Sequence, residues 1–319
     1  MQRRGDNMMR VDWQNISAFS DVPPHFRLMD RAEISAGCEV YAWKAVSSLD
    51  WYFDVHFPDN PVMPGVFLME MLRQTAVCAL RCVEEKRNCA LVCVQQMRMF
   101  RPVRPGDFLR AHVSYESPDG AYISCAGIVE ALNGEDSALQ KVCAMRFMLA
   151  VDGVPIVDDP PPSKIPQMEE GISIDPAQMA RYIADPPGYR FVDVVHVMPG
   201  CAAEGRLALD SQAWYLQPEI SSDGTLSITF LMEAIMQTGV FCVTTLPDKC
   251  FQLMMFHACQ KLSVYRRAMT GETLHTRAQL HSYRNGVASY HGSAHTERGT
   301  ICTMNFVLVA PEDMAAIRR

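Results

Sequence analysis

The sequence predicts an α+β chain built from two like units, each one long helix laid against an antiparallel sheet. Three observations carry this. The chain has 319 residues, which favours about two domains. It repeats itself: "PPHFRLMD" at 23–30 returns as "PPGYRFVD" at 186–193, and 163 residues also separate Trp51-Tyr52 from Trp214-Tyr215 and "FLMEMLRQT" from "FLMEAIMQT". Finally, each copy orders its apolar pattern in the same way: extended segments, one helix, then several strands.

In the first unit, "CEVYAWKAV" (38–46) alternates as a half-buried strand should. The helix starts after Pro64-Gly65 and runs to about Val83, about 30 Å of α-helix. It is apolar on most sides, so it is expected to be buried rather than to lie on a surface. Beyond it the repeat slips by two residues. "FRPVRPGD" (100–107) then faces "YRRAMTGE" (265–272), and "CAMRFMLA" (143–150) faces "CTMNFVLVA" (302–310). The strands "LRAHVSYE", "AYISCAGIV" and "KVCAMRFMLA" complete the first sheet. The expected division is a first unit over 1–152, a linker rich in Pro and acidic residues over 153–185 with one helical turn, and a second unit over 186–319.

Composition narrows the function classes. A net charge of −7 argues against a general nucleic-acid binder. No apolar run reaches the roughly 18 residues of a membrane helix, and the opening "MQRRGDNMMRVDWQ" has no apolar stretch of a secretory signal behind its basic residues. The 12 cysteines are scattered through apolar strands without a CxxC pair, which suits reduced thiols in a cytoplasmic protein. Neither Cys78 with Cys82 nor His291 with His295 gathers a metal-ligand set, so no metal is expected. P-loop, dinucleotide and G-x-S-x-G signatures are absent.

One stretch carries the chemistry. In "HFPDNPVMPGVFLMEMLRQ" (56–74), a histidine precedes a proline-rich turn, and Glu70 sits inside an oily helix 14 residues later. Glu70 and Gln74 share a helix face, and a bland reading pairs Glu70 with Arg73 or with a solvent edge. The second copy alters this stretch. Glu219 stands in place of His56, and Ser227-Ile228 in place of Pro64-Gly65, while Glu233 and Gln237 keep the positions of Glu70 and Gln74.

The stretch 56–74, with "MRMFRPVRPGD" (97–107) after it, resembles the active-site segment of the β-hydroxyacyl-acyl-carrier-protein dehydratases, the hotdog-fold enzymes. The tandem layout is similar to the double hotdogs of polyketide and polyunsaturated fatty acid synthases. Val55 departs from the glycine usual in that family. The resemblance implies a double hotdog, two long central helices each wrapped by an antiparallel sheet, in which each site takes its histidine from one unit and its acid from the other.

Carried onto this chain, the resemblance gives one site with His56 and Glu233 and a second, inactive one with Glu219 and Glu70. Glu70 is the alternative acid. The expected reaction is loss of water from a 3-hydroxyacyl thioester to give the 2-enoyl thioester, in fatty acid or polyketide biosynthesis. His56, with an ordinary pKa near 6.5, serves as base. Glu233, raised by an apolar surround, holds a proton or positions the leaving water with Gln237, and the backbone N–H of Gly65 faces the thioester oxygen. No cofactor is implied beyond the phosphopantetheine that carries the substrate.

The implied partner is an acyl carrier protein, which is acidic. Arg98, Arg101 and Arg104, with Arg110 nearby, are the expected docking cations. A homodimer or a partner hotdog or synthase subunit is a further expectation. The alternative readings are a hotdog thioesterase or acyltransferase, and an inactive relative that binds a carrier protein or subunit.

Overall fold

In the computed structural model the described residues are 8–35, 37–57, 60–83, 88–116, 121–132, 138–151, 168, 170–247, 249 and 253–311. The first half contains strand β1 (Met9–Val11), the short helix α1 (Ile16–Phe19), β2 (Arg31–Ser35), β3 (Glu39–Ala45), the long helix α2 (Gly65–Val83), and strands β4 (Cys89–Met99), β5 (Phe108–Tyr115), β6 (Tyr122–Leu132) and β7 (Gln140–Val151). The second half repeats the order: β8 (Ile172–Ile174), α3 (Pro176–Met179), β9 (Val194–Met198), β10 (Ala202–Ala208), the long helix α4 (Ile228–Thr244), β11 (Met255–Val264), β12 (Thr273–Arg284), β13 (Val287–Thr296) and β14 (Gly299–Val309).

All 14 strands join one antiparallel sheet in the order β1-β2-β3-β5-β6-β7-β4-β11-β14-β13-β12-β10-β9-β8. The order reads as a half followed by its mirror. The two halves meet where β4 pairs with β11, with Met97 opposite Cys259 and Gln96 opposite Gln260. Helices α2 and α4 lie against the sheet, and their sequences explain why. Every residue from Val66 to Leu80 is buried, so α2 has no solvent face to present. The sheet makes room for it. A Cβ on Gly127 of β6 would sit 2.8 Å from Leu72, and Gly292 of β13 meets Ile235 in the same way.

The halves are also joined by aromatic rings. Phe230 of α4 packs 5.3 Å from Phe26 and edge-on to Phe67 at 6.1 Å, while Trp51 and Trp214 meet edge-on at 5.0 Å. Each tryptophan donates its indole N–H to a carbonyl at the start of its own half, Trp51 to His25 and Trp214 to Gly188. Apart from residues 153–167 and 169, which lie outside the described residues, the stretch expected to be a linker is structured. β8 pairs with β9, and Asp175 caps α3 through the amide N–H of Gln178. β8 stands 163 residues from β1, so the repeat begins some 14 residues before the "PPGYRFVD" signal. The short strands "MRV" and "ISI" share no residue type that pairwise reading could align.

Candidate functional site

The loop between β3 and α2 carries His56. Phe57 adopts a φ of +51°, a left-handed conformation that costs a non-glycine residue energy and sets the direction of the loop at the histidine. His56 is 8 % exposed. Its Nδ1 lies 2.7 Å from the Val62 carbonyl, which can only accept, so Nδ1 carries the proton and Nε2 is the free base. Burial lowers the imidazole pKa to about 4, against the pull of that hydrogen bond, so the ring is neutral at pH 7. Its neighbours are aromatic: Phe57 at 4.1 Å, and Tyr189 of the second half edge-on at 5.3 Å.

His56 lines a cavity of about 200 Å³ together with Gly65, Glu233, Gln237, Asp185 and Phe256. Met63, Met99, Met236, Met254 and Met255 form much of its apolar wall, a lining that adapts to ligand shape. Of residues 229–244 in α4, Glu233 alone is half-buried rather than fully buried, because it faces this space. Burial raises the Glu233 pKa to about 8; the charge of Asp185 adds to the rise, and a hydrogen bond from Gln237 works against it.

Gln237 is tied on both sides. Its Oε1 accepts from the Phe191 amide N–H and its Nε2 donates to the Tyr189 carbonyl, both at 2.8 Å. Gln74 does the same in the first half with Leu28 and Phe26. These glutamines fix the "PPGYRF" and "PPHFRL" segments to the helices. The oxygen of Gln237 is therefore occupied by the backbone, and its amide also hydrogen-bonds Glu233.

Gly65 opens α2. The first N–H groups of a helix have no intrahelical acceptor and sit at its positive end. A Cβ there would lie 2.9 Å from the Phe256 ring, so only glycine permits this approach between the halves.

Glu70 lies elsewhere. Arg73 donates to both its oxygens at 2.8 and 2.7 Å, and Gln74 and Thr229 add further bonds. Arg73 also grips Asp21, whose carboxyl is held below its usual pKa: burial would raise it, but the guanidinium outweighs that. Asp21, Glu70 and Arg73 line a second cavity of about 580 Å³, to which His56 does not contribute. Glu219, expected opposite Glu70, is exposed and is not part of that wall. Ile220 and Ser221 stand on that wall instead, and both oxygens of Glu70 are taken by Arg73. The pairing of Glu219 with Glu70 is thus corrected to a buried Asp21–Arg73–Glu70 cluster.

The expected docking arginines divide. Arg101 forms two bonds to Asp107, at 3.0 and 3.2 Å, and Arg104 bonds Asn60 at 2.7 Å. Arg266 and Glu272 repeat the first of these in the second half. Arg101 and Arg104 therefore brace the turn after β4. Arg98 is exposed beside Phe100, with Lys141 over the same ring at 4.8 Å. Phe100 and Arg101 stand on the wall of the His56 cavity. Sequence reasoning missed Asp185, Tyr189 and Phe256. Asp185 lies in the stretch expected as linker, and Tyr189 and Phe256 look like ordinary core. Among the described residues no three His, Cys, Asp or Glu side chains gather as a metal site, and no helix is long and apolar enough to cross a membrane.

Comparisons with known proteins bear on the family and the fold. The FabA-like domain family matches residues 22–137. The chain is 41% identical over 106 residues to the 3-hydroxyacyl-(acyl-carrier-protein) dehydratase FabZ of Moorella thermoacetica, covering 31% of this chain and 72% of that protein. It is 38% identical over 133 residues to the FabZ of Caldanaerobacter subterraneus subsp. tengcongensis, covering 40% of this chain and 92% of the relative. In fold, it is similar to the dehydratase domain from the terminal module of the rifamycin polyketide synthase. The TM-score is 0.57 at 15% identity, over 91% of this chain and 97% of that one.

Proposed function

This chain belongs to the FabA-like dehydratases of FabZ type, and we propose that one of its two cavities does the chemistry with groups drawn from both halves. The reaction is dehydration of a 3-hydroxyacyl thioester carried on an acyl carrier protein, in fatty acid or polyketide biosynthesis. The observation that carries the site assignment is that His56 and Glu233, 177 residues apart in sequence, line the same buried cavity.

The steps use side-chain and backbone groups alone. Nε2 of His56 takes the proton from C2 of the acyl chain, and its neutral state at pH 7 suits it to accept. As the C2=C3 bond forms, the C3–O bond breaks and its electron pair stays on oxygen. Glu233 gives that oxygen its proton, and water leaves. The Gly65 N–H stabilises the charge that builds on the thioester oxygen, a contribution of about 3–4 kcal/mol for one such donor. The apolar methionine wall takes the acyl chain, and the phosphopantetheine arm enters past Phe100.

Glu233→Gln and His56→Ala should each lose turnover of a 3-hydroxyacyl thioester by at least about 100-fold, while Glu70→Gln keeps it. Wild-type turnover in Glu233→Gln would end the assignment across the two halves. For the carrier protein, Arg98 and Lys141 beside exposed Phe100 are the cations best placed at the mouth, since Arg101 is neutralised by Asp107. Reversing both charges should raise KM for carrier-bound substrate, by about tenfold at low salt, without changing KM for the same acyl group on free pantetheine. An equal change for both substrates counts against docking there.

A further inference from the structure

Asp185 has no counterpart in the first half, where the repeat places Val22. It lines the His56–Glu233 cavity, is 8 % exposed, and its Oδ1 is buried without a hydrogen-bond partner. An ionised carboxylate left in that state is costly, and a nearby second carboxyl makes it more so. The titratable and charged groups around it come from several elements. They are Glu233 on α4, Tyr189 and Arg190 just downstream, His56 across the cavity, and Arg101 and His257 in the wall.

Few of these can compensate a charge on Asp185. Arg101 is taken by Asp107, and Arg190 Nε donates to the backbone carbonyl of Asp185 at 3.0 Å rather than to its carboxyl. The Tyr189 hydroxyl is itself buried with no partner. Burial accordingly raises Asp185 to about 7, with the Arg190 charge opposing, and the charge of Asp185 is one cause of the rise at Glu233.

We propose that Asp185 is a positioning residue for the dehydration, a second carboxyl that keeps the working proton on Glu233 between turnovers. This rests on the site read above and deepens it. In each turnover Glu233 gives its proton to the departing hydroxyl while His56 gains the proton from C2. The protein then resets when the His56 proton returns by way of water to the carboxyl pair, so no net proton is gained or lost. With Asp185 ionised or sharing that proton, a second ionisation at Glu233 is disfavoured, and the acid stays loaded through neutral pH.

The test is the pH profile of kcat/KM with a 3-hydroxyacyl-pantetheine substrate, for full-length wild type, Asp185→Asn and Asp185→Glu. In Asp185→Asn the alkaline limb should fall by about one pH unit. That is about a tenfold loss above the limb, with kcat/KM at pH 6 within about twofold of wild type. Asp185→Glu should restore the limb. Because Asn fills the same space without a charge, its melting temperature at pH 8 should equal or exceed wild type. An unmoved limb, a loss equal at all pH values, or a lower melting temperature would each overturn the proposal. Inactive Glu233→Gln with an unmoved Asp185→Asn limb refutes this inference alone, whereas an active Glu233→Gln refutes the underlying site.

Discussion

Burying Glu233 in its protonated form has a cost that grows with pH. Its pKa rises from 4.5 to about 8 on folding, so between those values the unfolded chain releases a proton that the folded chain keeps. Stability from this group is full below pH 4.5 and declines as pH rises to about 8. Glu233→Gln should therefore melt like wild type near pH 4.5 and be more stable by about 2–4 kcal/mol at pH 8. A difference that does not grow over that range would show that the carboxyl is already ionised. Glu70, at the matching place on the other helix, is ion-paired with Arg73. The internal repeat singled out both glutamates; His56 and Gly65, which the second copy replaces by Glu219 and Ile228, stood out through the resemblance of residues 56–74 to a known motif. The Glu70–Arg73 pair was one of the two readings that the helix spacing left open; the reach of the same guanidinium to Asp21 was not legible, since nothing in "MLRQ" says where its far side turns. Asp185 was hidden for a different reason: an acid next to prolines reads as a solvated turn until the chain is folded over it.

At the scale of elements, the start of α2 depends on a ring from the other half. Gly65→Ala places a methyl 2.9 Å from Phe256, so either the ring or the helix start must move. Turnover should fall by at least about tenfold, since donor geometry at this step tolerates little displacement. Trimming the ring as well, in Gly65→Ala with Phe256→Ala, should recover part of that loss. Equal loss in the single and double variants would mean that contact with Phe256 is not what glycine serves. The long helices and most strands could be read from their apolar periods, α2 to within a residue at its start. α3 is the one helical turn expected in 153–185, whereas β8 could not be read, because a three-residue element leaves no period and the surrounding prolines dominated the pattern.

At the scale of the whole molecule, the sheet does not stop at the boundary of the repeat. The β4–β11 pairing and the ring cluster around Phe230 both cross that boundary. Heating should give a single transition by calorimetry, and Phe230→Ala should destabilise it by about 3–5 kcal/mol while keeping it single. Two resolved transitions would mean the halves fold independently. That two like units exist was plain from the repeat; that they share a sheet was not, because strand pairing between halves leaves no mark in a local pattern. The outermost strands, β1 and β8, are three residues each. Among the described residues the ribbon of 14 strands thus ends on both sides in stubs too short to template another chain, and this discourages the stacking into fibrils that a broad, flat β-surface with long bare rims would invite.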